Sequence, residues 1–213
     1  LMRSSAVSDV YKRQVILTAE TDLFRTHRKL AAAVVALGAM AAAAILFLAS
    51  NAGWYLVVSD GKSGEELASY PLEPGEQFAV GFIHSVNLRP LIDVYEVSED
   101  GRMYAEETIY YQFGAGVQTE VGEGETMTLG EDGAIIVGNI HQGFEKFTCS
   151  VGMVSDRTLM LGDIHPDYPA IKPLVGVFTD QLEQQVGDVK IISLSNLCGR
   201  RSIVSFQYEH RLF

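Results

Sequence analysis

Residues 30–49 are twenty consecutive positions without a charged or strongly polar side chain. At about 1.5 Å per residue, a helix of that length reaches roughly 30 Å, the thickness of a bilayer's hydrocarbon core. Arg25, Arg28 and Lys29 stand immediately before it. Cationic flanks hold their end of a span in the cytoplasm, so the chain after Asn51 is expected on the far side. Charge divides the same way. Residues 1–50 hold six of the 16 Lys/Arg and three of the 27 Asp/Glu, leaving ten and 24 for residues 51–213, or +3 against −14.

Two fates fit the apolar segment. Its length favours an uncleaved anchor in the cytoplasmic membrane, although ten of its twenty residues are Ala, which enters lipid less readily than Leu or Ile. The alternative is a secretory signal cut near Ser50-Asn51-Ala52, which releases the remainder to the periplasm. A buried helix of a soluble protein would carry a polar stripe, and this segment has none. No Cys follows it to take a lipid. Residues 1–14, LMRSSAVSDVYKRQ, resemble a translated adaptor tail and are set apart from the fold. The expected plan is that tail, a basic cytoplasmic segment over 15–29, a transmembrane or signal segment over 30–50, and an extracytoplasmic domain over 51–213. The net charge of −11 argues against nucleic acid as a partner, because phosphates are held mainly by Lys and Arg.

After Ala52 short apolar runs alternate with Gly, Pro, Asn and Asp, the texture of an all-β domain. Nine runs lie at 54–58, 66–70, 77–86, 91–97, 103–113, 126–129, 134–137, 144–151 and 158–161, with two more at 190–194 and 202–208. Glu107 interrupts an apolar alternation in the fifth, which fits either a bulge or a strand with two half-buried faces. Leu174, Phe178, Leu182 and Val186 recur every four residues, Pro173 suits a first turn and Gly187 a cap, so a helix is expected over 171–186. The simplest architecture is mainly β: a two-layer sandwich or partly closed barrel with one short helix, preceded by the transmembrane helix.

The densest group of chemistry-bearing residues runs from Gly81 to Glu96. Asn87 to Pro90 reads as a turn between two apolar runs. A two- or four-residue loop sets His84 opposite Asp93 and Phe82 opposite Tyr95, an arrangement that fixes the imidazole's tautomer. Ser85 is adjacent to His84, but neighbouring strand residues point to opposite faces, and no Gly-x-Ser-x-Gly elbow is present. Gly114 and Gly116 close a strand and allow a tight turn or the close approach of a ligand. Asp163 and His165, with His141 or Asp167, make a weak metal-ligand set, since a metal site needs three or four convergent donors. Cys149 and Cys198 both lie in the exported part, where a disulfide between them can persist. No cofactor is implied and no reaction is legible.

His84-Ser85-Val86, Pro90, Asp93 and Phe113-Gly114-Ala115-Gly116, with the stretch 143–161, resemble a bacterial family known as domain of unknown function 1850. The resemblance spans roughly residues 54–161 and fades beyond Gly162. The acidic position is usually Glu in that family and is Asp93 here, one methylene shorter. Members are small exported or membrane-anchored proteins, often encoded beside TRAP transporters of the TAXI class. The resemblance therefore implies an accessory or solute-handling role beside a TRAP permease or solute-binding protein, with His84, Ser85, Asp93, Gly114 and Gly116 at the recognition surface. The rival reading is an extracytoplasmic metal-binding protein or enzyme that uses His84 with Asp93 or His141.

Overall fold

The computed structural model of the chain describes residues 25, 27–47, 52–113, 117–130 and 132–212. It divides into two units, Leu1–Ala52 with Leu212–Phe213, and Gly53–Arg211. The expected tail over 1–14 lies outside the described residues.

The first unit contains one described helix, α1, His27–Phe47. Its Ala content gives it high intrinsic helicity, and its 21 residues extend about 31 Å. Every described side chain along it is exposed, Leu30, Leu37 and Phe47 by more than 60%. A core helix of a soluble protein would bury one face, so the apolar surface of α1 suits lipid.

The second unit is a sandwich of two antiparallel sheets. Its strands are β1 Gly53–Asp60, β2 Glu66–Pro71, β3 Gln77–Ile83, β4 Pro90–Val97, β5 Met103–Tyr110 and β6 Thr126–Leu129. They continue with β7 Ile135–Phe144, β8 Lys146–Ser150, β9 Arg157–Leu161, β10 Glu183–Val186, β11 Val189–Ser193 and β12 Ile203–Arg211. Two short helices, α2 Tyr168–Ile171 and α3 Leu194–Cys198, complete the described elements with a 3₁₀ turn at Lys172–Leu174. The small sheet has the order β2-β1-β12-β8 and the large one β10-β11-β9-β3-β4-β5-β7-β6.

Alternation along β3 accounts for the architecture. Phe78 and Val80 face the small sheet and pack with Tyr95, Leu159, Val204 and Phe206. Phe78, Tyr95 and Phe147 stack with centroids 5.0 and 4.8 Å apart, each contact contributing about 0.5–1.5 kcal/mol beyond area burial. Ala79 faces the other way, where Ile92, Val94, Met160 and Ile191 are covered by Ile164, Ile171 and Val175. Both faces of the large sheet are thus buried near its centre. At Gly81 an added Cβ would lie 2.6 Å from Val175 Cγ1, so glycine lets the covering segment come down onto β3. A third cluster, Leu91, Tyr110, Ile135 and Val137, continues the sandwich-facing side of the large sheet and contains no described residue of the small one.

The bulge, one of the two forms expected at Glu107, is present: the β5–β7 register shifts between Ala105 and Glu107. The helix expected over 171–186 is not. Its first residues close α2 and the 3₁₀ turn, residues 175–182 run outside any helix, and Glu183–Val186 is a strand paired with β11. Gly176 adopts φ +73°, and its N–H donates to Thr158 Oγ1 at 2.9 Å, which ends helical propagation. A spacing of four is also two strand periods, so the same residues fit either element. Gly187, expected as a helix cap, takes φ +56° in the turn between β10 and β11.

Candidate functional site

The β3–β4 hairpin carries the residues that the sequence singled out, in a register different from the expected one. Asp93 pairs with Val80, Phe82 with Leu91, and Ile83 with Pro90. The loop is six residues long, closed by His84 N donating to Arg89 O at 2.8 Å and Leu88 N to His84 O at 2.9 Å. Leu88, at φ +53°, supplies the left-handed residue that permits it. His84 therefore lies at the hairpin end, four positions along from the residue opposite Asp93, roughly 13 Å of strand. The expected His84–Asp93 and Phe82–Tyr95 facings are replaced, and Tyr95 instead stacks on Phe78.

Asp93 sits where the sandwich core gives way to the third cluster, between Leu91 and Tyr95 on the strand face turned toward the small sheet. Its Oδ1 accepts from Thr108 Oγ1 at 2.8 Å. Burial pushes the carboxyl above the usual range, while Thr108 and the charge of Arg157 pull it back in part. Arg157 pairs with Phe82 across β9 and β3 and places its guanidinium 4.0 Å from the Phe82 ring centroid. Its Nε donates to Ser150 O at 3.3 Å. The His84 ring lies 6.5 Å from the same phenyl ring, and its Nδ1 accepts from Val86 N at 3.4 Å. Phe82 thus connects His84 to the Asp93–Thr108–Arg157 group. Ser85 is exposed, and Gly114 and Gly116 lie outside the described residues. Arg157 and Thr108 were not singled out in the sequence, because only strand pairing brings them to this group.

The expected metal ligands are dispersed. Asp163 Oδ1 accepts from the His165 backbone N–H at 2.9 Å, and His165 Nε2 lies 3.5 Å from Glu107 Oε1. His141 Nδ1 instead meets Glu106 Oε1 at 2.7 Å, with its ring stacked on Tyr104 at 4.6 Å. Asp167 Oδ2 accepts from Asp188 N at 3.4 Å. Among the described residues no three His, Cys, Asp or Glu side chains converge as a metal site would require. Cys149 and Cys198 are both free thiols packed against the sandwich core. Burial raises the Cys149 thiol to about 11, which keeps it protonated and weakly nucleophilic at neutral pH.

A second group lies on the outer face of the large sheet, built by residues that sequence reading did not bring together. Tyr111 OH donates to Asp132 Oδ2 at 2.8 Å and is 2.5 Å from Tyr168 OH. Lys172 Nζ donates to the same Asp132 oxygen at 2.7 Å and stands 4.1 Å from the Tyr111 ring centroid. Lys172 and Tyr111 hold the Asp132 carboxyl at about 2, and burial raises the Tyr111 phenol to about 12. At neutral pH the group therefore holds a carboxylate, an ammonium and two neutral phenols. Asp132, Tyr168 and Lys172 line a cavity of about 470 Å³, and Tyr111 supports them through its contacts with all three.

Residues 78–166, less than half of the chain, match the family model for a domain of unknown function, DUF1850. The match contains the β3–β4 hairpin, Asp93, Tyr111, Asp132 and Arg157, and ends before Tyr168 and Lys172. No curated protein and no solved structure matches the chain.

Proposed function

We propose that the chain is a membrane-tethered, extracytoplasmic β domain that handles a small solute as an accessory to a TRAP-type transporter. The observation that carries the tether is α1, 21 apolar-rich residues with every described side chain exposed. Such a surface, left in water, would forfeit about 25 cal/mol for each Å² of apolar area, and a bilayer removes that cost. Arg25, Arg28 and Lys29, immediately before the apolar segment, support the outward orientation of the sandwich. The transporter role rests on the resemblance through His84-Ser85-Val86, Pro90 and Asp93 alone, since the match to residues 78–166 is to a domain of unknown function.

Affinity purification of the full chain from detergent-solubilised membranes tests the role. The reading expects permease or solute-binding protein to be recovered with it. Their absence, under conditions in which those two recover each other, contradicts the accessory role. The metal-binding or enzymatic reading has less support, because His84 and Asp93 occupy separate positions along the hairpin and His141 pairs with Glu106.

A further inference from the structure

The outer-face cavity is bounded differently at its two ends. At one end Asp132 is fully engaged: Oδ2 accepts from Lys172 and Tyr111, and Oδ1 accepts from Ala134 N at 3.1 Å. Tyr111 spends its single proton on Asp132, so the proton in the Tyr111–Tyr168 contact comes from Tyr168. Neither phenol has a proton left over for a ligand. Lys172 differs. An ammonium has three N–H groups, and among the described residues Nζ meets Asp132 as its hydrogen-bond acceptor. With the Tyr111 ring centroid 4.1 Å from Nζ occupying a second direction, one donor remains for a ligand. Arg89 adds positive potential at the Tyr111 phenol.

Between the ends the cavity is apolar, with Ile109, Ala134 and Ile136 contributing to its lining. His165 stands at the other side, its Nε2 3.5 Å from Glu107 Oε1, an atom that is buried and not hydrogen-bonded. Burial raises the Glu107 carboxyl, which lessens any repulsion it offers an anion. A cavity of a few hundred Å³ with an apolar lining and a few placed polar groups is the usual form of a small-molecule site.

The geometry points to this cavity as a binding site for a small monocarboxylate with an apolar body. The carboxylate sits on the remaining N–H of Lys172, and the apolar body lies over Ile109, Ala134 and Ile136. Asp132, already neutralised by its three donors, orients the ammonium. The proposal rests on the solute-handling reading and gives it a ligand class.

Calorimetric titration of the purified full chain with hexanoate, hexanamide and hexylamine tests it. Hexanoate is expected to bind, and hexanamide to bind about tenfold more weakly or worse, because it lacks the charge that Lys172 meets. Lys172→Gln is expected to weaken hexanoate about tenfold and Lys172→Arg by much less. Ile136→Trp, which fills the floor without touching the charged group, is expected to abolish binding and keeps the test independent of Lys172's part in folding. Equal binding of the amide, preference for the amine, no binding of hexanoate, or undiminished binding by Ile136→Trp would each overturn the assignment. Co-purification with a permease tests the transporter role separately. Hexanoate binding without permease leaves the site standing, and permease recovered without hexanoate binding leaves the role standing.

Discussion

The same residue types occupy opposite environments in the two units. Leu30, Val34, Leu37 and Leu46 of α1 are all more than 60% exposed, whereas Leu56, Val58, Leu159 and Val204 of the sandwich are fully buried. Apolar area stabilises only what removes it from water. In the sandwich each strand finds that cover in the opposing sheet or the covering segment. In α1 the described residues leave every side chain exposed, an apolar surface compatible with a membrane anchor or a signal sequence. A sequence can therefore announce an environment as plainly as it announces a fold.

A matched pair of truncations breaks or sharpens this contrast. Leu159→Ala is expected to cost about 2–5 kcal/mol by chemical denaturation, since it opens a cavity in a fully buried layer. Leu37→Ala removes the same atoms from α1 and is expected to leave the unfolding of the sandwich unchanged. Equal losses would mean that α1 packs as part of the soluble core. Next in size, Leu37→Asp is expected to weaken membrane insertion by about 3–4 kcal/mol, read as a shift of the full chain from the membrane pellet to the supernatant. No shift would show that α1 does not hold the chain to the membrane.

The smallest effect concerns Asp93. Burial raises its folded-state value above that of the unfolded chain, so between the two values the folded state holds more protons. Stability is then highest below the unfolded value, near 3.9, and falls as pH rises through the folded value. Asp93→Asn keeps an acceptor for Thr108 and removes the charge. It is expected to raise the melting temperature at pH 7 and to flatten that part of the pH profile. A lower melting temperature at pH 7 would show that attraction to Arg157 outweighs burial.

Elements defined by local pattern were legible in the sequence, and those defined by register were not. The uninterrupted run at 30–49 and the turn-punctuated strands announce a helix and a sandwich. The 171–186 segment misleads because a four-residue recurrence satisfies both periods, and Gly176 decides between them. His84 and Asp93 were placed together on an assumed loop length, and the six-residue loop displaces one from the other. Tyr111, Asp132 and the Tyr168–Lys172 pair, four residues apart on one helical segment, come from three separate places in the chain. No local spacing links the three. The large sheet and the segment covering it bring them to one cavity.

The tether and its direction are tested most directly by fusing reporters to the carboxyl end of the full chain in a bacterial host. One reporter should fluoresce only in the cytosol, and the other should be a phosphatase that matures only outside the inner membrane. Phosphatase activity without cytosolic fluorescence is the predicted result. Fluorescence without phosphatase activity would place the sandwich inside the cell and contradict the account.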